Sequence, residues 1–282
     1  MQRCLPLLLL LLALAAAPML AMASGAAKAH CASPAECCEL CGDDSYRCAR
    51  GPCSVNAITK GFFFISMPQH LASVWDVVFV AYGMVPSLVP VVLALELLLV
   101  KRSWLRVFAF LFIPIIAAIN TAVLVKAFGE CAECVRPCGT CLGAKGFPSG
   151  HSANSVGMFL WLLLETLLGV GASWPRRRQV RVTLASFALF APVPYSRVYL
   201  GDHTPLQTVI GGLIGAIYAV LYFVAVRSFL GRKLAGASRW LAGLRVPVVV
   251  ENDFYVEPAS RAPAADDLEL AALKEQAHPT YN

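Results

Sequence analysis

The sequence predicts an all-α fold, a polytopic membrane helical bundle with about five spans after a cleaved signal peptide. Of the 282 residues, 58% are apolar and only 14% are charged, a composition far from the average of soluble proteins. Five apolar stretches also approach the roughly 20 residues that a helix needs to cross a hydrocarbon core. These two observations exclude a soluble globular domain.

The N-terminus has the three parts of a secretory signal. Arg3 provides a basic start, a core of Leu and Ala follows, and an Ala-Met-Ala sequence ends at Ala23. This order is typical of a cleaved signal peptide, so residues 1–23 are predicted to be removed. An uncleaved signal anchor has the same composition and remains the alternative.

The predicted spans cover residues 75–100, 107–125, 152–172, 182–200 and 206–226. Ten basic residues follow the first, third and fifth spans: Lys101, Arg102, Arg106, Arg176, Arg177, Arg178, Arg181, Arg227, Arg232 and Lys233. Because cytosolic loops hold the excess of Lys and Arg, these ends are cytosolic. Residues 24–74 then form a lumenal segment, residues 75–226 the membrane domain, and residues 227–282 a polar cytosolic tail.

Ten of the eleven cysteines fall in two clusters on the predicted lumenal side: Cys31, Cys37, Cys38, Cys41, Cys48 and Cys53, then Cys131, Cys134, Cys138 and Cys141. Disulfides persist in that compartment, and they are the favoured interpretation. The second cluster reads CxxC-x3-CxxC, a thiolate spacing that also suits a tetrahedral zinc site, which stays open as the alternative.

Polar residues precede the third span in the stretch Pro148–His151. We expect Ser152 to cap this helix, so that the N–H groups of its first turn form an anion site. Gly150 allows close approach of the backbone to a ligand, and Ser149 offers a hydroxyl group. His151 offers a proton near neutral pH.

A second polar stretch precedes the fifth span. Thr204 is the expected helix cap, Pro205 takes the first helical position, and His203 lies just before them. Arg197, six residues before His203, lies at the end of the fourth span, where a guanidinium group can bind phosphate bidentately. The sequence therefore predicts a phosphate site with two histidines that carry protons or act as nucleophile.

The loop after the second span contributes further positive charge through Lys126 and Arg136, which precedes Pro137. Together with Pro148–His151 and the Ser196-Arg197-x5-His203 stretch, these residues resemble the type-2 phosphatidic acid phosphatase superfamily. The signature of that superfamily is K-x6-RP, PSGH and SR-x5-H-x3-D.

The resemblance implies a phosphatase in which His203 attacks phosphorus and forms a phosphohistidine. His151 would protonate the leaving oxygen and then activate water. The phosphate oxygens would be held by a larger set of residues, namely Lys126, Arg136, Arg197, Ser149 and Gly150. No metal and no cofactor is implied.

Two positions depart from the signature. Nine residues instead of six separate Lys126 from Arg136, so Arg136 is the firmer phosphate ligand. Gln207 stands where the superfamily has Asp, four residues after His203 and on the same helical face. Its amide oxygen is expected to accept the ring N–H of His203 and orient it, without the charge of a carboxylate.

The longer stretch YSRVYLGDHTPLQTVIGG resembles the dolichyldiphosphatases of the endoplasmic reticulum. This resemblance implies hydrolysis of dolichyl diphosphate to dolichyl monophosphate on the lumenal face, which recycles the lipid for N-glycosylation. Two alternatives stay open: a broader phosphatase acting on phosphatidate, and a catalytically inactive protein that binds lipid phosphates. The expected partners are the membrane and a lipid, not nucleic acid.

Overall fold

The computed structural model describes residues 63–65, 73–100, 103–128, 134, 136–137, 142, 146–230 and 233, with the backbone alone at 53–54 and 67–68. The predicted signal peptide, most of the cysteine-rich segment and nearly all of the tail lie outside these residues. The described part of the chain is mainly a helical membrane bundle. It also contains one antiparallel pair of two-residue strands, β1 (Cys53–Ser54) and β2 (Met67–Pro68).

The helices of the described residues are, in chain order, α1 (Val74–Leu99), α2 (Trp104–Ile119), a π-helical turn (Asn120–Leu124), α3 (Val125–Ala127), α4 (Gly150–Leu167), a 3₁₀ turn (Val170–Ser173), α5 (Arg176–Phe190), α6 (Pro192–Tyr199), α7 (Pro205–Ala225) and a second π-helical turn (Val226–Leu230). Three helical stretches in this part of the chain are long and apolar enough to cross a membrane: Val74–Leu99, Trp104–Ala127 and Pro205–Leu230. They correspond to the first, second and fifth predicted spans.

The third and fourth predicted spans differ from the structure in their bounds. α4 begins at Gly150 and ends at Leu167, where the prediction ran from 152 to 172. The stretch predicted as one helix over residues 182–200 is divided, because α5 ends at Phe190 and α6 starts at Pro192. Pro192 and Pro194 have no N–H group to donate to the preceding turn, which interrupts the helical hydrogen bonds.

α4 and α7 pack in parallel with their backbones in direct contact. A Cβ atom at Gly211 would overlap the Ser149 carbonyl oxygen, and Gly215 has the same relation to the turn of α4 that follows. The ion pair between Glu165 and Arg227 joins residues 62 positions apart, as does the contact of Gly211 with Ser149. The constant offset means that both helices start at the same end of the bundle, called the site end below.

Aromatic side chains hold α2 against this helix pair. Phe112 stacks on Trp161 with ring centroids 5.9 Å apart, and Tyr222 meets Phe112 edge-on at 5.1 Å. The Tyr222 hydroxyl donates to the Phe108 carbonyl at 2.9 Å. Because lipid tails are as apolar as these rings, the hydrophobic effect does not drive helices together inside a bilayer. The aromatic contacts therefore stabilise the bundle through close packing.

At the site end, α1 is tied to α6. Asp76 forms a capping box with Ser73 at the start of α1. The Tyr199 hydroxyl donates to Asp76 Oδ1 at 2.8 Å, and the Tyr199 ring lies 4.4 Å from that of Phe79. These contacts fix the short helix that carries Arg197.

Candidate active site

The N-terminus of α4 is capped by Ser149, and the predicted cap at Ser152 is wrong. Ser149 Oγ accepts the backbone N–H of Ser152 at 3.4 Å and its hydroxyl at 3.1 Å. The cap lies three residues earlier than predicted because Ser149 already stands at the correct spacing to accept the N–H of Ser152. The Ser149 N–H donates to the Gln207 carbonyl at 3.1 Å, which joins this turn to α7.

Asn120 supports the same turn from the end of α2, although no motif in the sequence assigned it to the site. Its Nδ2 donates to the Pro148 carbonyl at 3.4 Å. A Cβ atom at Gly150 would lie 3.1 Å from this nitrogen, so glycine is the residue that fits here. Asn120 opens a π-helical turn, a feature that is frequent at functional sites.

His203 is held from both sides of its ring. Its Nδ1 lies 3.1 Å from Gln207 Oε1, and its Nε2 lies 2.8 Å from Arg136 Nη1. Because a guanidinium group only donates, Nε2 is the acceptor and Nδ1 carries the proton. The expected orienting contact from Gln207 is therefore present, and a lone pair on Nε2 points toward Arg136.

The N-terminus of α7 builds this geometry locally. Thr204 caps the helix, with Pro205 at its first position, as the sequence predicted. Gln207 N–H donates to Thr204 Oγ1 at 3.2 Å, while Gln207 Oε1 accepts from the Thr204 N–H at 3.3 Å. This reciprocal capping box fixes the amide oxygen that receives the His203 ring proton.

The surroundings of His203 lower its pKa well below the usual 6.5. Burial is the largest cause, followed by the positive charges of Arg136 and Arg197, while the hydrogen bond that His203 donates to Gln207 acts in the opposite direction. The imidazole is therefore neutral at neutral pH, the form that has a lone pair for nucleophilic attack.

Arg197 is completely buried beside this histidine. Its Nη2 forms an ion pair with Asp202 Oδ2 at 2.9 Å and donates to the Phe64 carbonyl at 2.6 Å. The N–H groups of Asp202 and His203 both donate to the Arg197 carbonyl, at 2.9 and 3.2 Å. Asp202 was not among the site residues predicted from the sequence, although its position directly before the histidine was a signal.

His151 contacts the segment that precedes α1. Its Nε2 lies 2.9 Å from the Phe63 carbonyl, which only accepts, so this nitrogen carries a proton. Ile65 anchors the segment by packing with Val80 and Leu200. The contacts to His151 and Arg197 use the main chain of Phe63 and Phe64, so no side-chain pattern pointed to them.

Arg136 approaches the site from the loop after α3. Its Nη1 donates to the Asp202 carbonyl at 2.8 Å as well as to His203. The side chain packs on Gly146, whose N–H donates to the Cys134 carbonyl at 3.0 Å. Cys134 is disulfide-bonded, as favoured from the sequence, while Cys131, Cys138 and Cys141 lie outside the described residues.

Lys126 stands apart from the other predicted ligands. It is exposed on α3, and no hydrogen bond or ion pair joins it to the site within the described part of the chain. The residues that the fold does bring to the site end are Ser149, Gly150, His151, Arg136, Arg197, His203 and Gln207. Across the described residues, no group of three or more His, Cys, Asp or Glu side chains is arranged to hold a metal ion.

The arrangement has the components for nucleophilic attack on a bound anion. A neutral imidazole with a defined tautomer lies beside two guanidinium groups, and the N–H groups of a capped helix start lie at the same end of the bundle. Preformed donors of this kind stabilise charge that develops on oxygen in a transition state.

Comparison with known proteins shows what part of the chain is similar to. Residues 123–229 match the model of the PAP2 superfamily. Lipid phosphate phosphatase gamma from Arabidopsis thaliana is 33% identical over 85 residues, which are 30% of this chain and 38% of that protein. Dolichyldiphosphatase 1 from Mus musculus and from Callithrix jacchus are each 34% identical over 118 residues, covering 37% of this chain and 48% of theirs. The matches thus span less than half of each relative, and no solved structure matches the chain.

Proposed function

We propose that this chain, whose residues 123–229 match the model of the PAP2 superfamily, is a membrane phosphatase acting on dolichyl diphosphate. The proposed reaction releases inorganic phosphate and dolichyl monophosphate on the lumenal face of the endoplasmic reticulum, and so recycles the lipid carrier of N-glycosylation. The observation that carries the proposal is the neutral His203 imidazole, with its Nε2 2.8 Å from a guanidinium nitrogen.

In the first step, the Nε2 lone pair of His203 attacks the terminal phosphorus. The bond from phosphorus to the bridging oxygen breaks, and His151 protonates that oxygen as dolichyl monophosphate leaves. The hydrogen bond that Nδ1 donates to Gln207 Oε1 orients the ring in both steps. In the second step, His151 takes a proton from water, the water oxygen attacks phosphorus, and the bond between phosphorus and Nε2 breaks to restore His203.

Arg136 and Arg197 are the proposed ligands of the transferred phosphoryl group. Arg136 donates to the lone pair that must attack, so its hydrogen bond is expected to move to a phosphate oxygen as phosphorus approaches. Arg197 and the N–H groups at the start of α4 then stabilise the other oxygens. Lys126 is at most an outer contributor, because its side chain is exposed.

A lipid substrate is supported by where the site lies in the bundle. The histidines stand at the starts of two parallel helices, and α7 belongs to a stretch of membrane-spanning length that exposes Leu213 and Leu221. A polyprenyl chain can remain in the bilayer while its diphosphate reaches such a helix end. The relatives named for dolichyl diphosphate and for lipid phosphates are consistent with both this substrate and the phosphatidate alternative.

The inactive binding protein is the second candidate, because Gln207 cannot supply the charge of an aspartate. Loss of the carboxylate in a serine protease triad costs about 10⁴ in kcat, largely by selecting the wrong tautomer. Here the amide oxygen lies 3.1 Å from Nδ1 and selects the productive tautomer. This geometry favours the active enzyme over the binding protein.

The decisive experiment is rapid-quench trapping of a phosphoenzyme on the purified full chain with labelled polyprenyl diphosphate. His203→Ala is expected to abolish both turnover and the acid-labile phosphoenzyme, because it removes the attacking nitrogen. His151→Ala should still form phosphoenzyme from a substrate with a good leaving group but hydrolyse it slowly. A phosphoenzyme in the His203→Ala variant would refute the proposed nucleophile.

Substrate class is tested separately by comparing phosphate release from polyprenyl diphosphate and from phosphatidate in the same detergent, with a chelator present. Faster release from the diphosphate supports the dolichyl diphosphatase, and the opposite preference supports the broader lipid phosphatase. If neither lipid is hydrolysed while both still bind, also after Gln207→Asp, the binding protein becomes the better account.

A further inference from the structure

The loop between Arg197 and His203 folds back onto itself. The N–H groups of Asp202 and His203 converge on the Arg197 carbonyl at 2.9 and 3.2 Å. Gly201 makes this return possible with a φ of 63°, a left-handed conformation that glycine adopts without strain. The fold-back directs the Asp202 side chain to the guanidinium group of Arg197.

Asp202 contacts both arginines of the site. Its carboxylate Oδ2 lies 2.9 Å from Arg197 Nη2, and neither side chain has any exposed surface. Its carbonyl oxygen accepts from Arg136 Nη1 at 2.8 Å. The two guanidinium groups together carry a charge of +2, and the buried Asp202 carboxylate lowers the total to +1. The carboxylate also lies close to any anion that the two arginines bind.

The charge balance differs from what the superfamily signature implies, because residue 207 is an amide here. Gln207 orients His203 without adding negative charge. The aspartate that the signature has four residues after the histidine is therefore replaced by an amide. A different carboxylate, one residue before the histidine, forms an ion pair with Arg197.

We propose that Asp202 is a positioning and charge-balancing residue, which fixes Arg197 and limits how tightly the site retains inorganic phosphate. The inference rests on the proposed function, since it requires a phosphate group to bind between Arg136 and Arg197. The physical reason is that a buried carboxylate repels a bound phosphate at short range in a medium of low dielectric. Tight binding of the product adds nothing to the chemical step and delays release.

The test is isothermal titration of the purified full chain with inorganic phosphate. Asp202→Asn keeps the size and an acceptor oxygen but removes the charge, so it should bind phosphate about tenfold more tightly or better. In steady-state assays the same variant should lower KM and kcat together, with stronger inhibition by phosphate. A residue with a merely structural role would instead weaken phosphate binding when replaced.

Asp76→Asn is the matched control. Asp76 is another fully buried carboxylate at the site end, and it accepts from the Ser73 N–H and from the Tyr199 hydroxyl. Because asparagine keeps an oxygen that can accept from the Tyr199 hydroxyl, this replacement should leave the phosphate affinity unchanged. Asp202→Glu, which keeps the charge, should restore an affinity close to that of the unaltered chain.

The possible outcomes separate the inference from the function. Unchanged or weaker phosphate binding in Asp202→Asn, with binding intact in the unaltered chain, would overturn the inference alone. Absence of phosphate binding in the unaltered chain would overturn the phosphate site and the inference together. If Asp202→Asn does not fold, Asp202→Ser removes the same charge with a smaller side chain, and tighter phosphate binding is again the expected result.

Discussion

Two arginine–carboxylate pairs lie at opposite ends of the same helix pair, and they differ in what surrounds them. Arg197 and Asp202 have 0% of their side-chain surface exposed, whereas Arg227 and Glu165 retain 23% and 5%. The first pair touches main-chain carbonyls and lies next to His203. The second ties the C-terminal ends of α4 and α7 together and accepts the Val170 N–H at 3.4 Å.

Two ion pairs of the same chemistry therefore serve different purposes in this molecule. A buried pair is a weak source of stability, because the cost of removing two charges from water offsets their attraction. Arg197 and Asp202 are therefore better explained by the site that they serve. Glu165 and Arg227 are explained by the junction of two helix ends, where partial exposure lowers that cost.

The largest expected effect contrasts the two arginines directly. Arg197→Lys should lower kcat/KM by about 10²-fold or more, because a lysine cannot reproduce the planar fork that stabilises the phosphoryl group. Arg227→Lys should leave kcat/KM nearly unchanged and cost about 1 kcal/mol of stability or less. Phosphate release and thermal unfolding measure the two quantities. Equal losses of activity in both variants would remove the distinction drawn between the two ends.

A smaller effect is expected from the close backbone contact between α4 and α7. Gly211→Ala should cost about 1–3 kcal/mol, because its Cβ atom would overlap the Ser149 carbonyl oxygen and force α4 and α7 apart. The neighbouring Gly212→Ala is the control, since its Cβ atom would meet only the Val156 side chain at 3.3 Å. Thermal unfolding gives the stabilities, and Gly211→Ala should also lose activity. Equal tolerance of both substitutions would contradict the close helix packing.

The pH dependence sharpens the role assigned to Gln207. Because the pKa of His203 is held below 6.5, its nucleophilic neutral form persists as pH falls, and the acid limb of kcat/KM should lie below pH 6.5. Gln207→Glu places a carboxylate on Nδ1, which should raise the pKa of His203 and move that limb upward by about one pH unit. An unshifted profile would mean that another group controls the acid limb.

The same lowered pKa has a consequence for stability. The unfolded chain takes up a proton on this histidine near pH 6.5, while the folded chain resists it. Stability is therefore expected to decline as pH falls below 6.5, since the unfolded state then binds more protons. Thermal unfolding of the unaltered chain and of His203→Ala across this range measures the difference.

The smallest expected effect concerns Lys126. Its exposed side chain predicts that Lys126→Ala changes the activation free energy by about 0.5 kcal/mol or less. Arg136→Ala removes the group that contacts both His203 and Asp202, and its loss of activity should be far larger. A comparable loss in both variants would indicate that Lys126 reaches the phosphate when substrate binds.

The helical membrane bundle and most residues of the candidate site could be predicted from the sequence. Apolar runs of spanning length predict helices, because a helix forms the hydrogen bonds of its backbone N–H and C=O groups within one segment, as a lipid environment requires. The cap at Thr204, the proline that follows it and the contact of Gln207 with His203 depend on spacings of one to four residues. Such local relations are fixed by helix geometry and can be read directly from the chain.

The contacts between segments that are distant in the chain could not be predicted from the sequence and are seen only in the tertiary structure. Phe64 contributes to the site through its main chain, because its carbonyl accepts a hydrogen bond from Arg197, 133 residues away. The partnership of Asp202 with Arg197 depends on a loop that returns through Gly201, and the separation of Lys126 from the site depends on where α3 ends. Main-chain acceptors and loop paths leave no periodic signal in a sequence, because they are set by how the helices pack.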